Sequence, residues 1–430
     1  MKTDQVFAAF FTFTLFVAFS IAFAQEPSEL TPKRVEPSDF AIYPWGGMPD
    51  QPFWGGVATG KWGDFADANT MMKDLYDCGF NVTGFTGHDN FKYARNNHLA
   101  VILTGVYGEE AGVTGTLREI SQEEANKKIE SLLEPITDLE DRKAVFAISL
   151  KDEPFSPEFP ALSTWCEAVR KQGFQPYVNL NPGRVGQIGG YCGEGKDYPG
   201  YLDDYVKICK PPFISYDNYA LFEDGRFDEN YFYNNIEWIR KKALESGIPF
   251  WNVITSAAHY HYAEPSDATL AIQVYSTLAY GGRGIGYFTY YSVPHVNFRF
   301  APIDHFGHRT KTWEMMRNIN FQIHSIVPIY SKLISVNVFH TGNIPQNSQG
   351  IVSAKHVESI SGESLLVGEF VDSDGKPYVL VVNKNTKSSV HFNVKFKDGG
   401  QVREFSSFNR GFTDHHGWLS PGCGMLLTVE

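Results

Sequence analysis

"AISLKDEPF", residues 147–155, carries an apolar run straight into two adjacent carboxylates, Asp152 and Glu153, and then a proline. The run reads as a buried β-strand, and Pro154, which has no N–H to give to a ladder and a fixed φ, ends it. Alone, an acidic dipeptide behind a strand is a surface turn. Its meaning changes when the strand is one of a series.

From residue 40 onward, short apolar runs ending near Trp45, Thr86, Thr104, Leu150, Leu180, Asp217, Thr255 and Tyr290 alternate with amphipathic stretches. The latter cover 67–78, 88–97, 121–136, 158–172, 201–210, 228–246, 266–281 and 310–330, and Ser121-Gln-Glu-Glu and Ser266-Asp267 are helix-start signals. Eight strand–helix repeats over 40–333 predict an α/β fold of the (β/α)8 TIM-barrel type. No GxGxxG follows the first strand, which disfavours an open, doubly wound sheet. From residue 334 the texture changes. "LLVGEFVDSDGKPYVLVVNKNTKSSVHFNVKF" (365–396) alternates apolar and polar residues around an Asp-Ser-Asp-Gly turn, and "WLSPGCGMLLTVE" (418–430) adds a turn and a strand. Residues 334–430 are expected to form a small antiparallel β-sandwich.

The net charge of −12 and pI near 5.6 argue against a nucleic-acid partner, because no cationic field is available to collect phosphates. The aromatic content is high at 15%, and aromatic faces exposed in a cleft stack on the flat faces of sugar rings. The first residues, "MKTDQVFAAFFTFTLFVAFSIAFAQEP", place Lys2 before an apolar run and Ala22-Phe23-Ala24 at its end, the pattern of a secretory signal peptide over 1–24. Residues 25–39 then read as a linker. The run is long for such a signal, so an uncleaved anchor stays open, and no later segment is apolar enough to span a bilayer.

Five cysteines (Cys78, Cys166, Cys192, Cys209, Cys423) are too few for a disulfide framework, although Cys192 and Cys209 flank one loop-rich stretch and are close enough in sequence to pair. Neither CxxC nor HExxH occurs, so no metal and no cofactor are expected. Asn81-Val82-Thr83 is a formal glycosylation acceptor inside the second strand, and is expected to stay unmodified.

In a barrel the active site is built at the C-terminal ends of the strands. Glu153, just past the fourth strand, is therefore placed for catalysis, with Asp152 beside it. Asp217, in "FISYDNYAL" (213–221), ends the sixth strand, with Tyr219 close behind. Other rims offer Trp45 (first strand), His88 and Asp89 (second), Tyr107 (third), Asn179 and Asn181 (fifth), His259 and His261 (seventh), and Tyr290 and Tyr291 (eighth). Aromatics stack on sugars, and amides and imidazoles bond hydroxyls. Glu109 and Glu110 read as a solvated pair, His259-Tyr-His261 lacks a third metal ligand, and "RFAPIDHFGHRTKTW" (299–313) reads as a lid or a long connection.

On these residues the chain resembles the large clan of barrel glycoside hydrolases that carries its acid/base glutamate after strand four in an Asn-Glu-Pro motif. Here Asp152-Glu153-Pro154 stands in that place, and "YVLVVNKNTKSSVHFNV" with "LSPGCGMLLTVE" is similar to the small β domain that often follows such barrels. The resemblance implies a secreted enzyme acting on a carbohydrate, with Glu153 as general acid/base. The clan's nucleophilic glutamate at the end of strand seven is missing. "PFWNVITSAAHYHYAEP" (249–265) ends its strand in Thr255-Ser256, and Glu264 looks like the entrance to the next helix.

Glycoside cleavage needs one protonated carboxyl and one ionised carboxylate. The sequence reading gives the proton to Glu153 and the charge to Asp217, with Glu264 as the other choice of partner. Retention or inversion, the sugar and the oligomeric state stay open. The missing glutamate also supports a rival reading, a barrel that binds glycans without cutting them. An acyl hydrolase is unsupported, because no GxSxG elbow occurs.

Overall fold

The structure is a computed structural model that describes residues 34–47, 68–105, 117, 119–293 and 297–430. Eight runs form one parallel sheet: β1 (Ala41–Pro44), β2 (Val82–Thr86), β3 (Ala100–Leu103), β4 (Val145–Asp152), β5 (Pro176–Leu180), β6 (Ile214–Asp217), β7 (Phe250–Thr255) and β8 (Gly284–Phe288). Each strand pairs with its sequence neighbour from β2 to β8, and β8 pairs with β1. Asn81 closes the ring between β1 and β2. Its N–H donates to the Ile42 carbonyl (3.2 Å), and its side-chain Oδ1 accepts from the Ile42 N–H (2.8 Å). Its Nδ2 donates to the carbonyls of Val35 and Phe40, so this buried amide has no free face for a glycan.

Around the barrel run α1 (Ala68–Asp77), α2 (His88–Asn96), α3 (Gln122–Leu133), α4 (Leu139–Ala144), α5 (Phe159–Lys171), α6 (Tyr198–Cys209), α7 (Glu229–Ser246), α8 (Asp267–Ala279) and α9 (Lys311–Tyr330). Ser121 and Ser266 cap α3 and α8 as their sequence signals suggest. The short α4 has no counterpart in the periodicity, but Asp138 caps it by accepting from the N–H groups of Glu140 and Asp141.

The barrel interior is filled in layers. Trp251 and Phe213 stack at 3.9 Å near the N-terminal end, with Tyr43, Tyr177 and Phe85 above them. Two glycines on β8 make room for the large rings. A Cβ on Gly284 would lie 2.6 Å from the Trp251 ring, and one on Gly286 would lie 2.7 Å from the Tyr43 ring.

After α9 the chain builds a six-stranded antiparallel sheet in the order β16-β15-β18-β12-β11-β9. Its strands are β9 (Ile334–His340), β11 (Leu365–Val371), β12 (Pro377–Asn383), β15 (Val402–Ser406), β16 (Gly411–Asp414) and β18 (Gly424–Val429). Two short pairs cover its outer face: β10 (Val357–Ser361) with β14 (Asn393–Phe396), and β13 (Val390–His391) with β17 (Trp418–Leu419). Alternation along the strands divides the side chains. Val367, Val379, Val381 and Leu427 face the short pairs, whereas Leu366, Phe370, Leu380 and Leu426 join the core of the barrel. That face rests on α8, whose run from Leu270 to Ala279 is buried throughout because the helix lies between barrel and sheet. Contact is close enough that a Cβ on Gly368 would lie 2.0 Å from the Ala279 carbonyl oxygen.

Several sequence expectations are revised. Residues 34–39, read as linker, pack on the barrel: Arg34 stacks over Tyr76 at 3.6 Å and donates to the Tyr76 and Phe80 carbonyls, and the Val35 N–H donates to His324. Cys192 and Cys209 are both free thiols, and Cys209 faces Cys166 and the Phe159 carbonyl instead. Strand four runs two residues beyond Leu150 to Asp152, and strand eight stops at Phe288, two residues before Tyr290. The signal-peptide reading of 1–24, Tyr107 and the Glu109-Glu110 pair lie outside the described residues. No helix of the described residues is long and apolar enough to cross a membrane.

Candidate active site

A cavity of about 610 Å³ opens at the C-terminal mouth of the barrel. Three carboxyls stand on one side of it. Asp152 is the last residue of β4, Asp217 the last of β6, and Glu153 follows Asp152 at the rim. Asn179 on β5 lies between the two strands and ties them together: its Nδ2 donates to Asp152 Oδ1 and to Asp217 Oδ1, each at 3.2 Å.

The orientation of that amide is set from below. Ser215 donates to Asn179 Oδ1 at 3.0 Å, which leaves the Nδ2 side to face the acids. Ser215 Oγ in turn contacts the hydroxyls of Tyr177 (3.2 Å) and Tyr43 (3.3 Å), which lie 3.0 Å from each other. A buried polar column therefore runs from the middle layer of the barrel up to the carboxyls. It exists because β5 and β6 turn Tyr177, Asn179, Ser215 and Asp217 inward at alternate positions.

Crowding raises all three acids. Burial, followed by the charges of Glu153 and Asp152, holds Asp217 well above the usual carboxylate range. Asp152 is pushed up to about 8, by burial first and then by the Glu153 charge. Glu153 is raised by burial as well, but the hydrogen bond from Asp217 and the charge of Lys151 pull it back. Asp217 and Glu153 interact directly, and Asp217 is the more deeply buried of the two, which favours its neutral form. The sequence reading gives the proton to Glu153; the structure encloses Asp217 while Glu153 meets solvent.

Glu153 also has a strained backbone. Its φ is +46°, in the left-handed region that costs a side-chain-bearing residue about 1–3 kcal/mol. Its N–H donates to the Asn179 carbonyl at 2.7 Å, so the strand stays paired through the kink. A structural acid elsewhere in the chain offers a contrast. Glu369, fully buried in the C-terminal sheet, accepts from the Asn337 amide and from the N–H groups of Lys355, His356 and Val357. The acids at the mouth share one amide among two of them and lean on each other.

Opposite the acids stands an aromatic wall. Tyr219 and Phe288 stack at 5.7 Å, Trp45 meets Phe288 edge-on at 5.3 Å, and His259 stacks on Phe298 at 4.8 Å. His259 donates from Nδ1 to the Ala257 carbonyl (2.8 Å), and burial lowers its pKa, which leaves Nε2 as a neutral acceptor. Tyr260, exposed at the mouth with φ +47°, is clamped by Asn297, which accepts from its N–H and donates to its carbonyl at 2.7 Å.

Of the residues singled out from sequence, Glu153, Asp217, Asp152, Asn179, Trp45, Tyr219 and His259 line the cavity. Seven others are placed elsewhere. His88 and Asp89 begin α2, where His88 Nε2 bonds the Leu132 carbonyl (2.6 Å) and exposed Asp89 faces the positive end of the helix. Asn181 gives its carbonyl to the Tyr198 hydroxyl. Tyr290 is bound to Asp74 and to the Trp313 indole, outside the barrel wall, with Tyr291 packed beside it. Exposed Glu264 precedes the α8 cap and does not line the cavity, and His261 stacks on Phe222. The sequence reading missed Arg184, Tyr231, Tyr260, Tyr262, Phe288 and Phe298. Phe288 is a strand-end residue and was findable; the others hang on loops and a helix whose path local pattern does not encode.

No protein-family model matches the chain, and no curated protein does. Among solved structures, it is similar to a family 39 glycoside hydrolase from Bacteroides cellulosilyticus WH2, at 11% identity and a TM-score of 0.49 over 93% of this chain and 83% of that one. It is also similar to a GH5_18 protein from Bifidobacterium longum subsp. longum solved with Manb1-4GlcNAc, at 10% identity and a TM-score of 0.46 over 66% of this chain and 78% of that one. A third is the endo-beta-1,4-glucanase Xac0029 from Xanthomonas axonopodis pv. citri, at 11% identity and a TM-score of 0.42 over 62% of this chain and 95% of that one. Likeness of this order carries no side-chain correspondence.

Proposed function

We propose that the protein is a secreted glycoside hydrolase that cleaves a poly- or oligosaccharide at the mouth of its barrel, with Glu153 and Asp217 as the reacting pair. The observation that carries the reading is a crowded set of three carboxyls at the C-terminal ends of β4 and β6 that line, together with Trp45, Tyr219 and Phe288, a cavity of sugar size. Asp217 gives its proton to the leaving oxygen, and the Glu153 carboxylate attacks the anomeric carbon to form a glycosyl ester. Water, deprotonated by Asp217, then hydrolyses the ester and restores both groups. Asn179 and Asp152 hold the pair in register. Trp45, Tyr219, Phe288 and His259 supply ring faces and a hydroxyl acceptor.

Reducing-sugar release across a broad glycan panel, with Glu153→Gln and Asp217→Asn run beside the wild type, tests the reading. Release that disappears in both variants supports it. The absence of an acid at the end of β7 keeps the second reading, a glycan-binding barrel without turnover. Binding retained by all three proteins with no release by any of them would establish that reading.

A further inference from the structure

One cation in the cavity wall is left over by this mechanism. Arg184 is the only Lys or Arg among the described lining residues, and no carboxylate or carbonyl of the described residues accepts from its guanidinium. Its exposed side chain projects from a backbone that is held in place. The preceding residue, Gly183, is gripped by the fully buried Asn235, which accepts from its N–H (2.6 Å) and donates to its carbonyl (2.9 Å). A Cβ on Gly183 would lie 2.2 Å from the Tyr198 ring, so the backbone needs glycine there. The same Asn235 ties down the Tyr231 carbonyl (2.9 Å), and Arg184 lies 5.8 Å from the Tyr231 ring. The charge is close to the Tyr231 and Tyr262 hydroxyls, on the cavity wall with them.

We infer that the cavity takes a sugar bearing a fixed negative charge, a carboxylate or a sulfate ester, and that Arg184 binds that group as a specificity-determining residue. The inference rests on the glycan reading of the site. An anion entering a mouth that holds three acids needs a cationic partner there, and a guanidinium offers a planar fork of donors matched to such oxyanions.

Binding is measured calorimetrically for wild type and Arg184→Gln with size-matched neutral, uronate-bearing and sulfated oligosaccharides, and hydrolysis of the same set is followed in parallel. At least one acidic class is expected to bind the wild type, and Arg184→Gln should weaken that binding by ~10–100-fold with neutral oligosaccharides unaffected. The uronate and sulfate arms identify the anion. Acidic oligosaccharides bound equally by both proteins, or not bound by either, overturn the inference. Arg184-dependent binding without cleavage upholds the anion site and removes the hydrolase reading. Cleavage of neutral glycans alone, indifferent to Arg184, does the reverse.

Discussion

Asp152→Asn is expected to stabilise the protein at pH 9 and to leave it nearly unchanged at pH 4. The carboxyl is raised from 3.8 to about 8, so the folded state binds this proton more tightly than the unfolded chain does. Its contribution is therefore fully present below the unfolded value near 4 and is lost as pH rises through 8. Four units at about 1.4 kcal/mol each set a ceiling on the order of 5–6 kcal/mol. The measured effect should be smaller, about 2–3 kcal/mol, because Asp152 retains some contact with solvent and part of its shift is Glu153 charge that redistributes onto Asp217. Asparagine is the appropriate replacement: its Oδ1 still accepts from Asn179, and it cannot ionise. Urea denaturation of both proteins at pH 4, 6 and 9 gives the difference directly. A gap that opens between pH 4 and 8 in favour of the variant supports the crowded-acid account. A difference independent of pH, or a variant less stable at pH 9, refutes it.

Glu153→Asn removes a side chain that sits poorly at φ +46° and supplies one that tolerates it. Stability should rise by about 1 kcal/mol at pH 7 in thermal melts while glycan turnover disappears. Ser215→Ala takes the donor from Asn179 Oδ1 and frees the amide to turn over, so a loss of about 1–3 kcal/mol should come with a displaced pH–activity profile, and an unmoved profile would deny the column any role in the site. Gly368→Ala drives a methyl into the Ala279 backbone and should cost at least ~2 kcal/mol in denaturation curves.

The barrel was legible because every strand ends an apolar run at a polar or aromatic rim and because caps such as Ser121 and Ser266 mark the helices between. Strand ends were less so. Asp152 continues β4 although it is an acid, because its side chain finds Asn179 across the ladder, and Tyr290 lies beyond β8, its hydroxyl bound to Asp74 and Trp313. The acids of the site were visible as strand-end carboxylates. Which of them holds the proton was not, because that depends on how far each is enclosed, and enclosure comes from side chains distant in sequence. Arg184 and Tyr260 were hidden for a related reason: what positions them, Asn235 and Asn297, lies dozens of residues away.

The placement of α8 has a consequence for biosynthesis. A helix buried all round from Leu270 to Ala279 is covered by the barrel on one side and by β11, β12 and β18 on the other. A chain emerging N-terminus first can assemble its eight strands while the sheet-facing side of α8 is still uncovered, until β11, β12 and β18 follow. Folding of the barrel and of the C-terminal sheet are thereby tied together, because neither buries α8 alone.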